Sequence, residues 1–163
     1  MLLCFNLLMV NLAELPVQTT LLEGVDIAHH SELAAADTFF LQQLGHSSVP
    51  TLSDLRKYDY SNRILGLTRL DDDVVGGVYG IMFAATSLSE PYIDIHYLAV
   101  AKHHRKSGQR IGSYLLSTIE AAAIEHGAHV AQLTTLEGAV GFWGKHNYKP
   151  ADERDPYVLT KYL

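Results

Sequence analysis

The nine residues from Lys102 to Arg110 hold four of the chain's 12 cations: Lys102, Arg105, Lys106 and Arg110. His103 and His104 join them, and no acidic residue interrupts the run. Gly108 lies inside it and Gly112 just beyond. A helical pattern follows, in which Ile111, Leu115, Leu116, Ile119 and Ala122/Ala123 form one apolar stripe that ends at Gly127. A basic, glycine-bearing loop feeding a helix N-terminus is an anion cradle. The first N–H groups of a helix lack internal partners, its dipole is positive there, and glycine allows close backbone approach. The chemistry this suits is phosphate or pyrophosphate binding, and the bland alternative is a solvated basic turn. Neither Gly-x-x-x-x-Gly-Lys-Ser/Thr nor Gly-x-Gly-x-x-Gly occurs, so a P-loop or dinucleotide fold is not supported.

Other reactive-looking groups read as structure. Asp71-Asp72-Asp73 is a solvated hairpin turn, with attraction of a cationic acceptor as the alternative. Adjacent His103 and His104 would point apart on a strand and have no nearby acidic partner, so no metal site is expected. The single Cys4 excludes a disulfide framework and a Cys-rich zinc site. A formal charge of −6 argues against a protein that rides long nucleic-acid backbones, so no nucleic-acid partner is expected.

The elements that must position the loop follow from length and pattern. At 163 residues and 48% apolar content, the chain suits one domain with a sizeable core. Residues 1–17 begin with the apolar run MLLCFNLLMVNLA, which lacks a basic n-region and is too short to span a bilayer. An extra edge strand or arm is expected there, the other reading being an early start with Met9 as the true first residue. No other segment looks membrane-spanning, and the expected location is the cytoplasm. Residues 18–28 suggest a strand and 29–44 a helix with Leu33, Ala36, Phe40 and Leu44 inward and Gly45 as its stop. Thr51 or Ser53 caps a second helix running toward Tyr60. Strands are predicted at 64–70, 74–85 and 92–100, the second interrupted by Gly76 and Gly77, which implies a bulge or close backbone approach. Helix 111–126, strand 129–136, short helix 139–146 and final strands at Tyr148 and 157–163 complete a mixed α/β domain. Part of its sheet is antiparallel, and a β–loop–α–β unit lies near the C-terminus. Phe39, Phe40 and Phe83 are expected in the core.

The run Ile95-His96-Tyr97-Leu98-Ala99-Val100, followed by His104-Arg105-Lys106-Ser107-Gly108-Gln109-Arg110-Ile111-Gly112-Ser113-Tyr114-Leu115-Leu116, resembles motif A of the GNAT (Gcn5-related) N-acetyltransferases. Asp72 to Gly77 is similar to that family's turn into its third strand, Gly138 to Tyr148 to its late helix and final strand, and Val158 to Leu163 to its ending. The resemblance covers about residues 18–163, taken as a single domain. It implies a GNAT acyl-CoA N-acyltransferase fold: a mixed central sheet splayed between the family's strands 4 and 5 and flanked by helices.

The resemblance also implies a cofactor and a reaction. Acetyl-CoA would lie in the splay, held by Leu98, Ala99 and Val100 along the acetyl group and pantetheine. Arg105, Lys106, Ser107, Gly108, Gln109, Arg110, Ile111, Gly112 and Ser113 would surround the pyrophosphate. An amine of a small molecule or a protein would attack the thioester directly, and Tyr58 and Tyr60 would line its pocket. The base would be Asp94 or His96. Asp94 stands where some members carry a catalytic glutamate. His96 lies two residues on, on the same face by the period-two rule, and an imidazole suits a base near neutrality. Tyr97 would point the other way.

Three departures matter. The loop is about two residues longer than the family's, and counting back from Leu115-Leu116 puts Arg110 in a glycine's place. Trp143, also expected beside the cofactor, replaces the tyrosine that protonates the CoA sulfur, and an indole N–H is a far poorer acid. That proton would then come from water or from a tyrosine elsewhere. Asn147 stands where the family has glycine. The two readings are an acetyl-CoA-dependent N-acetyltransferase and a catalytically weak CoA-binding regulatory module, with a nucleotide- or sugar-phosphate-binding domain a weaker third. A homodimer through the N-terminal arm or terminal strands is compatible with either of the first two.

Overall fold

The strand-forming runs assemble into one sheet in the computed structural model, which describes residues 8–9, 17–24, 31–45, 62–105 and 109–163. The strands are β1 (Leu8–Met9), β2 (Val17–Glu23), β3 (Arg63–Leu70), β4 (Asp73–Phe83), β5 (Tyr92–Val100), β6 (Val130–Thr134), β7 (Lys149–Asp152) and β8 (Asp155–Tyr162). Their order across the sheet is β1-β2-β3-β4-β5-β6-β8-β7. Among the described strands only β5 and β6 pair in parallel, and the helix between them, α2 (Ile111–Glu125), is the crossover that parallel strands require. Two further helices are α1 (Glu32–Leu44) and the short α3 (Val140–Lys145).

Among the described residues, α2 packs on one face of the sheet and α1 on the other. Ile111, Leu115, Leu116, Ile119, Ala122 and Ala123 of α2 are buried against Ile64, Val78, Ile93 and Ile95. On the opposite face Leu33, Ala36, Phe39 and Phe40 of α1 cover Leu65, Leu67 and Tyr79. Both stripes are the predicted ones. At about 1.5–3 kcal/mol for each large apolar side chain removed from water, they hold the helices to the sheet.

Gly76 and Gly77 show both features expected of them. The ladder to β3 slips a register at Thr68/Arg69, so that Thr68 pairs with Gly76 but Arg69 with Val74. A Cβ on Gly76 would lie 2.7 Å from Ile111 Cγ2 and 2.8 Å from Leu115 Cδ1, and one on Gly77 would lie 2.9 Å from Phe40 Cζ. The missing side chains let both helices settle directly onto β4.

Boundaries moved where local chemistry overrode pattern. The first strand stops at Glu23 because Gly24 turns left-handed at φ 60°. Phe83 is not core: it is 38% exposed at the end of β4 and stacks on Tyr92 with centroids 4.8 Å apart. Leu8 and Met9 pair with Thr19 and Gln18, extending the sheet by one short strand. The helix expected from Thr51 toward Tyr60 lies outside the described residues, as do His29 and His30 at the expected start of α1.

Gly76→Ala should destabilise the protein by about 1–3 kcal/mol, because the methyl has no room against Ile111 and Leu115. At roughly 2–4 °C per kcal/mol for a domain of this size, differential scanning calorimetry should show a midpoint lower by several degrees.

Candidate active site

β5 pairs with β4 from Tyr92 to Val100, but with β6 over three residues only: Tyr92, Ile93 and Asp94 face Val130, Ala131 and Gln132. β6 continues along β8 to Thr134. From Ile95 to Val100, β5 therefore has no strand partner on its β6 side among the described residues. This is the expected splay, and a bulge marks its origin. Tyr79 pairs with Tyr97 and Gly80 with Ile95, leaving His96 as the extra residue. Bulges bend a strand and sharpen its twist.

The bulge also reassigns the faces. Asp94 pairs with Ile81 and Tyr97 with Tyr79, two β4 residues on one face, so Tyr97 shares the side of Asp94. The period-two expectation that Tyr97 points away fails for this reason. His96 Nε2 stands 3.5 Å from Asp94 Oδ2, each side chain about one-third exposed. The His96 ring lies 6.2 Å from both Tyr79 and Tyr97, which stack on each other at 6.0 Å. Buried Arg63 donates to the Tyr79 hydroxyl, and Phe40 of α1 packs on Tyr97 at 5.3 Å. Burial raises the Asp94 carboxyl above the usual carboxylate range, with His96 and the Gln132 amide pulling it back. Burial, with Tyr79 and Asp37 nearby, pushes the Tyr97 phenol up to about 12.

At the far end of β5 the basic loop begins as a single 3₁₀ turn, Lys102–His104. His104 Nδ1 lies 3.0 Å from Gln109 Oε1, tying the loop's two ends together. Arg105 does not reach forward. Its Nε donates to the Val100 carbonyl at 2.8 Å and its Nη2 to Gln43 of α1 at 3.4 Å. Lys106, Ser107 and Gly108 lie outside the described residues, as do Tyr58 and Tyr60.

Arg110 is the N-cap of α2, with left-handed φ 52° and no side-chain hydrogen bond to the first turn. Asn147 is left-handed too, at φ 68°. Both stand where the resembled family has glycine, which accounts for the backbone each adopts. It also favours the loop register counted back from Leu115-Leu116. Ile111 is buried, Gly112 and Ser113 are half-buried and Arg110 is exposed. A Cβ on Gly112 would lie 3.4 Å from the Phe142 ring and 3.5 Å from Val100 Cγ2. Ser113 Oγ lies 3.0 Å from His146 Nε2, and the His146 ring packs on Phe142 at 4.8 Å. The front of α2 therefore sits between the end of β5 and α3, at the mouth of the splay. Leu98 and Val100 are half-buried there and Ala99 is buried.

Trp143 is 7% exposed, packed between Phe142 at 5.1 Å and Tyr148 at 5.3 Å. Tyr148 does not replace the lost tyrosine as an acid. Its hydroxyl donates to Glu120 at 2.9 Å, and burial together with Glu120 lifts its pKa far above the phenol range. The Asp71–Asp73 turn is exposed and lines a cleft of about 610 Å³ against α1 and His104. That cleft adjoins the Val100 end of β5, about 20 Å of strand from Asp94 at ~3.3 Å per residue. Sequence reasoning missed Gln132 and His146. The only hint of Gln132 was a polar residue inside the strand Val130-Ala131-Gln132-Leu133-Thr134. No described residues group three or more metal-ligating side chains.

An acyl thioester on a long polar arm needs an open backbone edge, and its diphosphate needs unpartnered helix amides. The Ile95–Val100 edge and the α2 front meet both needs, and Gly112 keeps the space between Val100 and Phe142 clear. No described helix is long and apolar enough to cross a membrane. The fold is shared with solved structures. An aminoglycoside acetyltransferase from an uncultured soil metagenomic sample is 21% identical, with a TM-score of 0.59 over 84% of this chain and 90% of that one. *Arabidopsis thaliana* Naa50, solved with the bisubstrate analogue CoA-Ac-MVNAL, is 19% identical, with a TM-score of 0.63 over 89% and 99%. A transcriptional regulator from Bacillus halodurans C-125 is 21% identical, with a TM-score of 0.61 over 83% and 95%. No curated protein matches the chain. The sequence model of the acetyltransferase (GNAT) family matches residues 32–148. The chain belongs to the GNAT acetyltransferase family, as an enzyme that uses acetyl-CoA to acetylate an amine.

Proposed function

We propose that Asp94 and His96 are the proton-accepting pair of this transfer and that the acceptor amine reaches them from the α1 side of the sheet. The observation that carries this is their meeting at the closed end of the splay, where β5 and β6 share their last paired residues. Acetyl-CoA supplies the activated acyl group as a thioester. The chain's own residues do the rest. The open edge at Leu98, Ala99 and Val100 offers donors to a carbonyl oxygen in the fork. The amides of Ile111, Gly112 and Ser113, with Arg110 beside them, receive the diphosphate. His96 Nε2 faces Asp94, which leaves Nδ1 for the amine. An imidazole backed by a carboxylate accepts a proton near neutrality.

The acceptor is an amine of a small molecule or of a protein. The related structures, an aminoglycoside acetyltransferase and Naa50 with a peptide-bearing bisubstrate analogue, support both classes. Residues 18–163 act as one catalytic domain in the cytoplasm, and the edge strand Leu8–Met9 is where two copies of the chain pair. One observation favours a second reading, a module that binds CoA with little turnover: buried Trp143 offers no hydroxyl acid. Following free thiol release from acetyl-CoA with sisomicin, the peptide MVNAL and simple amines separates the two. Release with at least one amine supports the enzyme. Thermal stabilisation of ~2–3 kcal/mol at a hundredfold excess of CoA over Kd, without any release, supports the module.

Arg110→Glu and Gly112→Asp each place a carboxylate at the diphosphate end of α2. Titration calorimetry should show CoA binding weaker by about tenfold or more in each, since a helix-terminal charge contributes up to ~2 kcal/mol. Unchanged affinity in both would move the cradle elsewhere.

Asp94→Asn should lower acetyl transfer by about a hundredfold or more, within the usual contribution of general base catalysis. Its stability should move the other way. The folded carboxyl titrates above its unfolded value, so the folded state binds more protons across that window. Stability from this group is therefore complete below pH ~3.9 and lost as pH rises through the folded value. At pH 7 the variant should melt no lower than wild type, and any advantage should vanish below pH ~4.

A further inference from the structure

We infer that Gln132 is the positioning residue of the base pair: across the last paired residues of the fork, its side-chain amide donates to the Asp94 carboxylate and holds it toward His96. The inference rests on the reading of Asp94 and His96 as the proton-accepting pair. The ladder puts Gln132 directly opposite Asp94 on the neighbouring parallel strand. In-register neighbours present their side chains on one face, so the amide and the carboxylate stand side by side. The other residues of β6 confirm which face this is. Ala131 and Leu133, on either side of Gln132, are buried in the core beneath α2, which leaves Gln132 on the Asp94 side.

A half-buried amide in mid-strand needs partners for both of its ends. On its other flank Gln132 pairs with Thr160 of β8. A row Asp94–Gln132–Thr160 thus crosses the sheet at the closed end of the splay, with a carboxylate-bearing residue on one side of the amide and a hydroxyl-bearing one on the other. One residue further along β5, the ladder to β6 has ended. No later β6 residue can hold the base, and no earlier one stands opposite it. The amide's lowering of the Asp94 carboxyl, against the burial that raises it, is consistent with this donation. The titratable and charged groups around Asp94 on this face, among the described residues, include Tyr92, His96 and Tyr97 on β5, Tyr79 on β4, Arg63 on β3, Asp37 on α1 and, beyond Thr160, Lys149 on β7.

The test is a carbon NMR titration of the Asp94 carboxyl in the full, coenzyme-free chain, with its signal assigned by Asp94→Asn. Gln132→Leu removes the donor, and Gln132→Glu replaces it with a like charge. The Asp94 midpoint should rise by about one pH unit in Gln132→Leu and by more in Gln132→Glu. The acid limb of kcat/KM, measured with sisomicin or MVNAL as the probe amine, reports the coupled Asp94–His96 pair and should also shift in both variants while CoA affinity stays constant. A loss of rate that is uniform in pH, or equal midpoints in the two variants and wild type, would overturn the inference and leave Gln132 a packing residue. Undiminished transfer by Asp94→Asn would instead overturn the base reading. The carboxyl titration would still report separately on Gln132.

Discussion

The chemistry depends on a β-ladder that stops early. β5 and β6 share three paired residues, whereas β6 shares five with β8. Were the parallel ladder to run to Val100, the backbone groups of Ile95–Val100 would satisfy one another. Strand partners would then leave nothing for a ligand, since a buried amide without a partner costs ~1–3 kcal/mol. The fork turns that requirement into a binding edge. Its closed end holds Asp94 and His96, and its mouth is the front of α2. On the proposed reading, one structural decision places both the proton acceptor, on β5, and the diphosphate site, at the front of α2 beyond the end of that strand.

The fork persists because its two arms are anchored on opposite sides. β5 is clamped to β4 along its whole length, and Gly76 and Gly80 let α2 press directly onto that pair. β6 is held by β8 and by the core beneath α2. The Glu120 carboxylate adds a polar tie, accepting from Tyr148 at 2.9 Å and Lys161 at 2.7 Å. With Lys161 on β8 and Tyr148 just after α3, this ties the β6 arm to α2. The bulge at His96 then gives β5 the twist that carries its far half away.

The sequence made most of this legible, for reasons that can be named. The stripe Ile111–Ala123 has a 3.6-residue period that no other element competes for, so α2 could be placed within one residue. The basic loop suggested an anion site by composition alone, and the proposed function builds on that expectation. What the sequence hid was geometry that depends on pairing. A single extra residue at His96 reverses the alternation, and nothing in Ile95-His96-Tyr97 signals it. Tyr97 was therefore put on the wrong face, and Gln132 was read as an ordinary strand residue. Arg105 was legible as a cation, but not as one that donates back to the Val100 carbonyl and to Gln43. Phe83 looked like core because its exposure is set by where the sheet ends.

The exchange of a tyrosine for Trp143 weighs less on turnover than it first suggests, because the two proton transfers differ in difficulty. An amine with an ordinary pKa of about 10.4 is free base at pH 7 in only a few parts in ten thousand, a deficit of roughly 4–5 kcal/mol that a base must offset. A departing thiol with an ordinary pKa of about 8.5 favours its protonated form at pH 7 by roughly 2 kcal/mol without help. Water in an open fork can return that proton, whereas it is a poor acceptor for the amine's. On the proposed reading the chain keeps side chains on the harder transfer, with Asp94 and His96 3.5 Å apart, and commits Trp143 to the core against Phe142 and Tyr148. The indole trades an acid for packing at the base of α3, and that packing holds Phe142 against Gly112 at the mouth of the fork.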